Sequence, residues 1–207
     1  MPEPKQDRAV HTSRRLLVAA AELFDQYGYA GTNVADIAKR AGLTLGALYF
    51  HYGSKQGVAE AVMNGQPQII EPLLQSDGVQ HVIDITLVWA YRLQVDPLLR
   101  AGVRLAVEQR VHGMNNPTSF NDWAAIMAEH LQKAQDSGDL HPGVDPKAVA
   151  RFLVGACTGV QLYSQLVSER ADLMDRTCEM WQILLPGIAP EATRAHIVID
   201  PARGRAE

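Results

Sequence analysis

The sequence predicts an all-α protein, with a small N-terminal three-helix head followed by a larger helical body and about nine helices in total. Three observations carry this reading. Apolar residues recur at intervals of three and four through segment after segment, the period of an amphipathic helix. No stretch alternates with period two for long enough to form a strand. Gly, Pro, Ser, Asp and Asn punctuate the segments where helices start or stop. With 207 residues, 47% of them hydrophobic, the chain can bury a sizeable core.

The first helix is expected from Ala9 to Tyr27, with Leu16, Leu17, Ala20, Leu23, Phe24 and Tyr27 recurring at helical spacing and Gly28 as its stop. Thr32 or Asn33 caps a short second helix bearing Val34, Ile37, Ala38 and Ala41 and ended by Gly42. Thr44 caps a third helix running to about Tyr52, whose Leu48 and Tyr52 lie four apart on one face. Helix, glycine-containing turn, helix is the spacing of a helix-turn-helix, and equally of two short helices in a larger bundle. Ser54 caps a fourth helix reaching through Val58 and Val62 toward Leu74, weakened near its middle by Gly65 and Pro67.

A "QSDG" loop precedes helices at about residues 79–93, 97–111 and 120–134, which are separated by "VDP" and by "HGMNNPTS". Asp145 then caps, and Pro146 opens, a long apolar helix reaching about Val167, with Val149, Phe152, Leu153, Ala156, Val160 and Tyr163 available for burial. A last helix from about Ala171 to Leu185 is expected to stop at Pro186-Gly187, leaving the tail "PARGRAE" mobile. By role, residues 1–53 form the head and 54–207 the body.

Composition narrows the function classes. The chain lacks an apolar run of about 18 residues or more, and "MPEPKQDRAV" lacks the apolar core of a signal peptide, so a cytoplasmic protein without membrane contact is expected. Cys157 and Cys178 sit in apolar helical patterns without CxxC or His-rich surroundings. They read as buried thiols, and no disulfide framework, metal or cofactor is expected. Residues 1–60 hold seven Lys/Arg against six Asp/Glu, a balance of +1 that leaves −5 of the chain's net −4 to the remainder. A near-neutral head on an acidic body is compatible with phosphate binding through the head alone. A helical small-molecule enzyme is the remote alternative, because GxSxG, HExxH and phosphate-loop patterns are all missing.

Residues 13–62, carried by "RRLLVAAAELFDQYGYAGTNVADIAKRAGLTLGALYFHYGSKQGVAEAV", resemble the DNA-binding segment of TetR family repressors. Gly28-Tyr29, Thr32, Ile37-Ala38, Ala41-Gly42, Leu48-Tyr49, Tyr52 and Lys55 fall at the family's spacing. Within that family, "GALYFHYGSK", "LLRAGVRLAVEQ", the Trp of "FNDWAAI" and "GVQLYSQLVSERADL" look like the γ-butyrolactone autoregulator receptors of streptomycetes and their pseudo-receptor relatives.

The resemblance implies a homodimer on double-stranded operator DNA, released by a small apolar signalling molecule and regulating antibiotic production or secondary metabolism. A pseudo-receptor answering to an antibiotic or biosynthetic intermediate is the alternative, to which Leu45 and the unusual "MNGQPQ" lend weight. The third helix would enter the major groove with Thr44 offering a hydroxyl, Leu45 its methyls, and Gly46 and Ala47 close backbone approach. Tyr49 and His51 suit phosphates or thymine methyls, Lys55 adds a cation at the start of the fourth helix, and Asn33 completes the DNA-facing set. Leu48, Tyr52, Phe24 and Ile37 are assigned to the core of the head. Leu45 departs from the receptor pattern, which usually carries Lys there, and Lys5, Arg8 or Arg14 would compensate for the missing cation.

In the body, Trp123 matches the Trp that lines the receptors' ligand cavity. Thr158, Gln161 and Gln66 are polar groups in apolar settings that could orient a lactone carbonyl or hydroxyl, with Trp89 and Tyr163 as further candidates. The last two long helices, with Gly155 and Gly159 four apart, are the expected dimer surface.

Overall fold

The computed structural model describes residues 5–205, and every regular element among them is helical. Eleven α-helices follow in order: α1 (Lys5–Gly31), α2 (Val34–Arg40), α3 (Leu45–Tyr52), α4 (Lys55–Asn64), α5 (Pro67–Ile70), α6 (Gly78–Val95), α7 (Pro97–Glu108), α8 (Thr118–Asp136), α9 (Pro146–Ser168), α10 (Leu173–Ile188) and α11 (Glu191–Arg194). Short 3-10 turns occupy Glu71–Leu73, Gln109–His112 and Pro201–Arg205. The all-α fold and its nine longer helices agree with the periodicity of the sequence.

Helix starts lie where side-chain oxygens can accept an otherwise unpaired first-turn N–H. Asn33, Thr44, Ser54, Asp96 and Asp145 accept from Asp36, Ala47, Gly57, Leu98 and Lys147 at 2.8–3.2 Å. Thr32, the other candidate cap of α2, acts elsewhere. Its hydroxyl donates to the carbonyls of Leu23 (3.1 Å) and Gly28 (2.9 Å), where α1 kinks. Gly28 adopts φ 69°, a left-handed conformation that a side chain would strain, and an added Cβ there would meet the Arg104 guanidinium at 2.7 Å.

Three expectations need correction. The fourth helix ends at Asn64 instead of reaching Leu74, because Pro67, which has no N–H to donate, begins a separate turn. The last long helix passes through Pro186 to Ile188. The missing N–H costs one bond in the final exposed turn, and the terminal carbonyl of Ile188 accepts from the backbone N–H of His141 at 2.8 Å. The tail is docked, not free, as far as Arg205, for reasons that lie in α6.

Packing groups the described chain into two compact units. In the first, which runs up to Gln66 and includes Asp96–Ser119, α7 packs along α1 and α4. Its interior holds Leu16, Phe24, Ile37, Leu48, Val58 and Leu99, each 0% exposed. Arg100 pairs with Asp25 (2.9 Å), and Arg104 donates to the Asp25 carbonyl (3.0 Å), so α7 grips α1 at its polar edge as well.

The second unit comprises Pro67–Val95 and the chain from Phe120 onward. Its central helix is α6, with eleven of eighteen residues buried, so the polar ones among them require partners. Thr86 accepts the indole N–H of fully buried Trp181 at 2.7 Å. Asp84 receives the Arg203 guanidinium through two bonds at 2.6 and 2.7 Å, which clamps the tail. Gly204 lies against α6, where a Cβ would come within 2.6 Å of the Leu87 carbonyl. Among the described residues no helix is long and apolar enough to cross a membrane.

Candidate functional site

The α2–turn–α3 segment is held from behind. The Arg15 guanidinium donates to the Ala41 carbonyl at 2.6 Å, fixing the end of α2 on α1. The Tyr52 hydroxyl donates to the Ser13 carbonyl and pairs with the Ser13 hydroxyl, both at 2.8 Å, fixing the end of α3. Burial pushes the Tyr52 phenol up, against the opposing effect of the Ser13 hydroxyl, so it stays a neutral donor. Leu48 is the buried residue of α3, Ala47, His51 and Tyr52 are half-buried, and Leu45, Gly46, Tyr49 and Phe50 are displayed. Among the residues assigned to the head's core, Leu48, Phe24 and Ile37 are fully buried and Tyr52 is half-buried.

At the displayed face, Thr44 uses an oxygen lone pair on Ala47 and retains its hydroxyl proton for an outside acceptor. Leu45 is 40% exposed and Gly46 is open, while Ala47 is half-buried. Tyr49 is 47% exposed and Phe50 84% exposed. Phe50 was not among the sequence candidates, although the signal was available. If Leu48 and Tyr52 face inward, residues 49 and 50 must point away. His51 is half-buried, with the Phe50 ring edge-on at 5.2 Å.

Lys55 and Asn33 are more committed than the sequence suggests. The Lys55 ammonium sits 4.4 Å from the centre of the Tyr29 ring, and partial burial lowers its pKa. The Asn33 side chain caps α2 through Oδ1 and donates to the Asp36 carboxylate through its amide. Arg8 and Arg14 are exposed on α1, while the side chain of Lys5 lies outside the described residues.

The ligand candidates are divided between the units. Gln66 belongs to the first, 3% exposed, its amide donating to the Met63 carbonyl at 3.0 Å. The other five lie in the second. Trp123, on α8, is 7% exposed, and its indole N–H is buried without an acceptor among the described residues. Thr158 donates back to the Val154 carbonyl at 2.8 Å, and Gln161, 1% exposed, accepts from Arg170 at 3.4 Å. Trp89 is half-buried. Tyr163 is 56% exposed beneath the Arg176 guanidinium, which also pairs with Asp172 at 2.6 Å. The Ser164 and Ser168 hydroxyls, then Arg176, hold the Asp172 carboxyl down at about 2. Open concavities of about 440 and 610 Å³ in this unit are lined by other residues, among them Gln80 and Ile197 in the smaller and Ala128 and Arg151 in the larger.

One stripe of α9 carries Phe152, Leu162, Leu166 and Val167, from 40% to 86% exposed, with open space above Gly155 and Gly159. Ile183 on α10 is 82% exposed. An apolar stripe along one helix face is the kind of surface that a contact with another protein chain covers. Both cysteines are buried, and burial pushes the Cys157 thiol up to about 12, so it is inert.

Residues 16–62 match the family described as bacterial regulatory proteins, tetR family, and residues 77–190 match a tetracyclin repressor-like C-terminal domain. The A-factor receptor protein of Streptomyces griseus is 39% identical over 193 residues, covering 93% of this chain and 69% of its own. Tylp, a tetR regulator from Streptomyces fradiae, superposes with a TM-score of 0.88 at 37% identity, covering 95% of both chains. The CprB protein from Streptomyces coelicolor, solved in complex with its operator, gives 0.71 at 33% identity, covering 97% of this chain and 99% of that one.

Proposed function

The chain belongs to the tetR family of bacterial regulatory proteins, and from that premise we propose that it is a cytoplasmic, ligand-responsive repressor of the γ-butyrolactone receptor type. It acts by binding operator DNA as a homodimer, not by catalysis. The observation that carries this reading is α3, an eight-residue helix with Leu48 as its buried residue and its other side held open to solvent. A helix that buries so little of itself adds little to a core, but it presents side chains and backbone to a major groove.

Thr44, Leu45, Gly46 and Ala47 would meet base edges, with Tyr49, His51 and Phe50 along the sugar-phosphate wall and Lys55 at a phosphate. Asn33, already used as a cap, would contribute its backbone position more than its amide. The apolar stripe of α9 with Ile183 of α10 would close the dimer, and a two-fold reader meets half-sites about 34 Å apart, one turn of DNA. By role, residues 1–53 are the reader and 54–207 the responder.

Trp123 supports the effector half of the proposal. A buried donor without a protein acceptor is costly, and a ligand carbonyl would satisfy it. Thr158, Gln161, Gln66, Trp89 and Tyr163 remain secondary candidates, because the first three already hold hydrogen bonds within the protein and Tyr163 is largely exposed. Shifting the dimer from 99:1 bound to 1:99 requires roughly 5.5 kcal/mol of differential ligand binding. The test is titration of a γ-butyrolactone, and separately of antibiotic intermediates, into a complex of the protein with its own promoter. Release at low concentration by the lactone supports the receptor reading, release by an intermediate alone makes the protein a pseudo-receptor, and release by neither overturns the ligand-responsive proposal.

A further inference from the structure

In the second unit, three residues far apart in sequence converge. Glu71 heads the 3-10 turn, His81 lies on α6 and His130 on α8, and their ligating atoms all lie within 4.8 Å of one another. The imidazole rings of His81 and His130 stack with centroids 3.8 Å apart.

His81 is 8% exposed, and its orientation is fixed by a bond to the protein. Its Nδ1 lies 2.6 Å from the carbonyl oxygen of Ser76, which can only accept, so Nδ1 carries the ring's proton. Nε2 of the neutral ring is then a bare lone pair, buried without a donor among the described residues. Oε1 of Glu71 is likewise buried without a donor. In that tautomer neither atom supplies a proton to the other. Burial, reinforced by the neighbouring His81 and Lys133, lowers the pKa of His130 against the opposing Glu71 and Glu129, and Lys133 itself is paired with Glu129 at 2.8 Å. Converging buried acceptors, with one imidazole oriented through its far nitrogen by a carbonyl, form the arrangement that surrounds metal-ligating histidines.

We propose that Glu71, His81 and His130 form a binding site for a divalent transition-metal ion of the zinc class, clamping the 3-10 turn, α6 and α8 together. Two imidazole nitrogens and one carboxylate oxygen suit Zn²⁺ and disfavour Mg²⁺ and Ca²⁺, which take oxygen shells. Nearly parallel stacked rings cannot both aim in-plane lone pairs at one ion, so binding turns His130 out of the stack and draws the three ligands closer.

The experiment uses the untagged full-length protein, stripped with chelator, beside Glu71→Gln and His130→Gln variants whose folding is checked by circular dichroism. The probes are CoCl₂, read by visible ligand-field absorption, ZnCl₂ in competition with it, and MgCl₂. The expected result is one Co²⁺ per protomer displaced by Zn²⁺ but not by Mg²⁺, with affinity at least roughly tenfold weaker in each variant. Wild-type Tm should rise with ZnCl₂ while the variants' Tm does not. Failure of the wild type to take up metal, or uptake by both variants as tight as wild type through the remaining histidines, overturns the proposal. If His130→Gln does not fold, Glu71→Gln alone decides. The outcome is independent of DNA binding, so failure here leaves the repressor reading intact.

Discussion

The two buried tryptophans of the second unit make opposite predictions for the same substitution. Trp123→Phe and Trp181→Phe remove the same atoms from sites that are 7% and 0% exposed, so the cavity cost is common to first order. The hydrogen bonding differs. Trp181 loses a bond to Thr86 made at 2.7 Å, a net cost of about 1 kcal/mol. Trp123 loses a donor without an acceptor among the described residues, which relieves a desolvation penalty of about 1–3 kcal/mol. Trp181→Phe should therefore be the more destabilising by about 2–4 kcal/mol, measured by urea unfolding followed by far-UV circular dichroism. The effector response should invert this order. Trp123→Phe should weaken a γ-butyrolactone about tenfold, the equivalent of about 1.4 kcal/mol, while folded Trp181→Phe binds it as wild type does. Equal destabilisation at the two sites, or undiminished ligand affinity in Trp123→Phe, would refute the assignment of the indole N–H to the ligand.

Lys55→Gln should reduce the slope of log K against log salt by about 0.9 per head, measured by anisotropy of a labelled operator, whereas Lys55→Arg should preserve it. An unchanged slope would make the cation over Tyr29 a packing device. For the tail, burial raises the Asp84 pKa, but Arg203, Ser76 and Gln80 together outweigh it and hold the carboxyl below the ordinary range. A depressed folded pKa gives stability that is present above the unfolded value of about 3.9 and lost as pH falls through the folded one. Amide exchange at residues 198–205 should therefore accelerate below about pH 4 in wild type, and at neutral pH in Arg203→Met. Gly159→Leu, placing a bulky side chain in the open space on the α9 stripe, should shift sedimentation from dimer to monomer and abolish operator binding while leaving helicity intact.

The features legible in the sequence were local ones. Asn33, Thr44, Ser54 and Asp145 cap helices because each oxygen lies two or three residues from the N–H it accepts. The displayed face of α3 follows from Leu48 and Tyr52 four residues apart, and Phe50 could have been found by the same geometry. Long-range pairings were not legible. Asp84 meets Arg203 across 119 residues, so the tail looked free although an acid inside "VIDITL" already required a cation. Glu71, His81 and His130 show no ligand spacing along the chain, because α6 and α8 bring them together. Lys55 read as a free cation because its ring partner, Tyr29, lies in the preceding α1. The expected division at residue 53 separates assigned roles, and packing groups α4 and α7 with the head.

If α3 reads operator sequence, Leu45 sets part of its preference. Selection of duplexes from a random pool at fixed salt, with wild type and Leu45→Lys in parallel, tests it directly. A pseudo-palindrome with half-sites about one helical turn apart is expected, with a change at one symmetric position of each half-site when Leu45 becomes Lys. No enriched sequence, or the same preference at every position in both proteins, would contradict it.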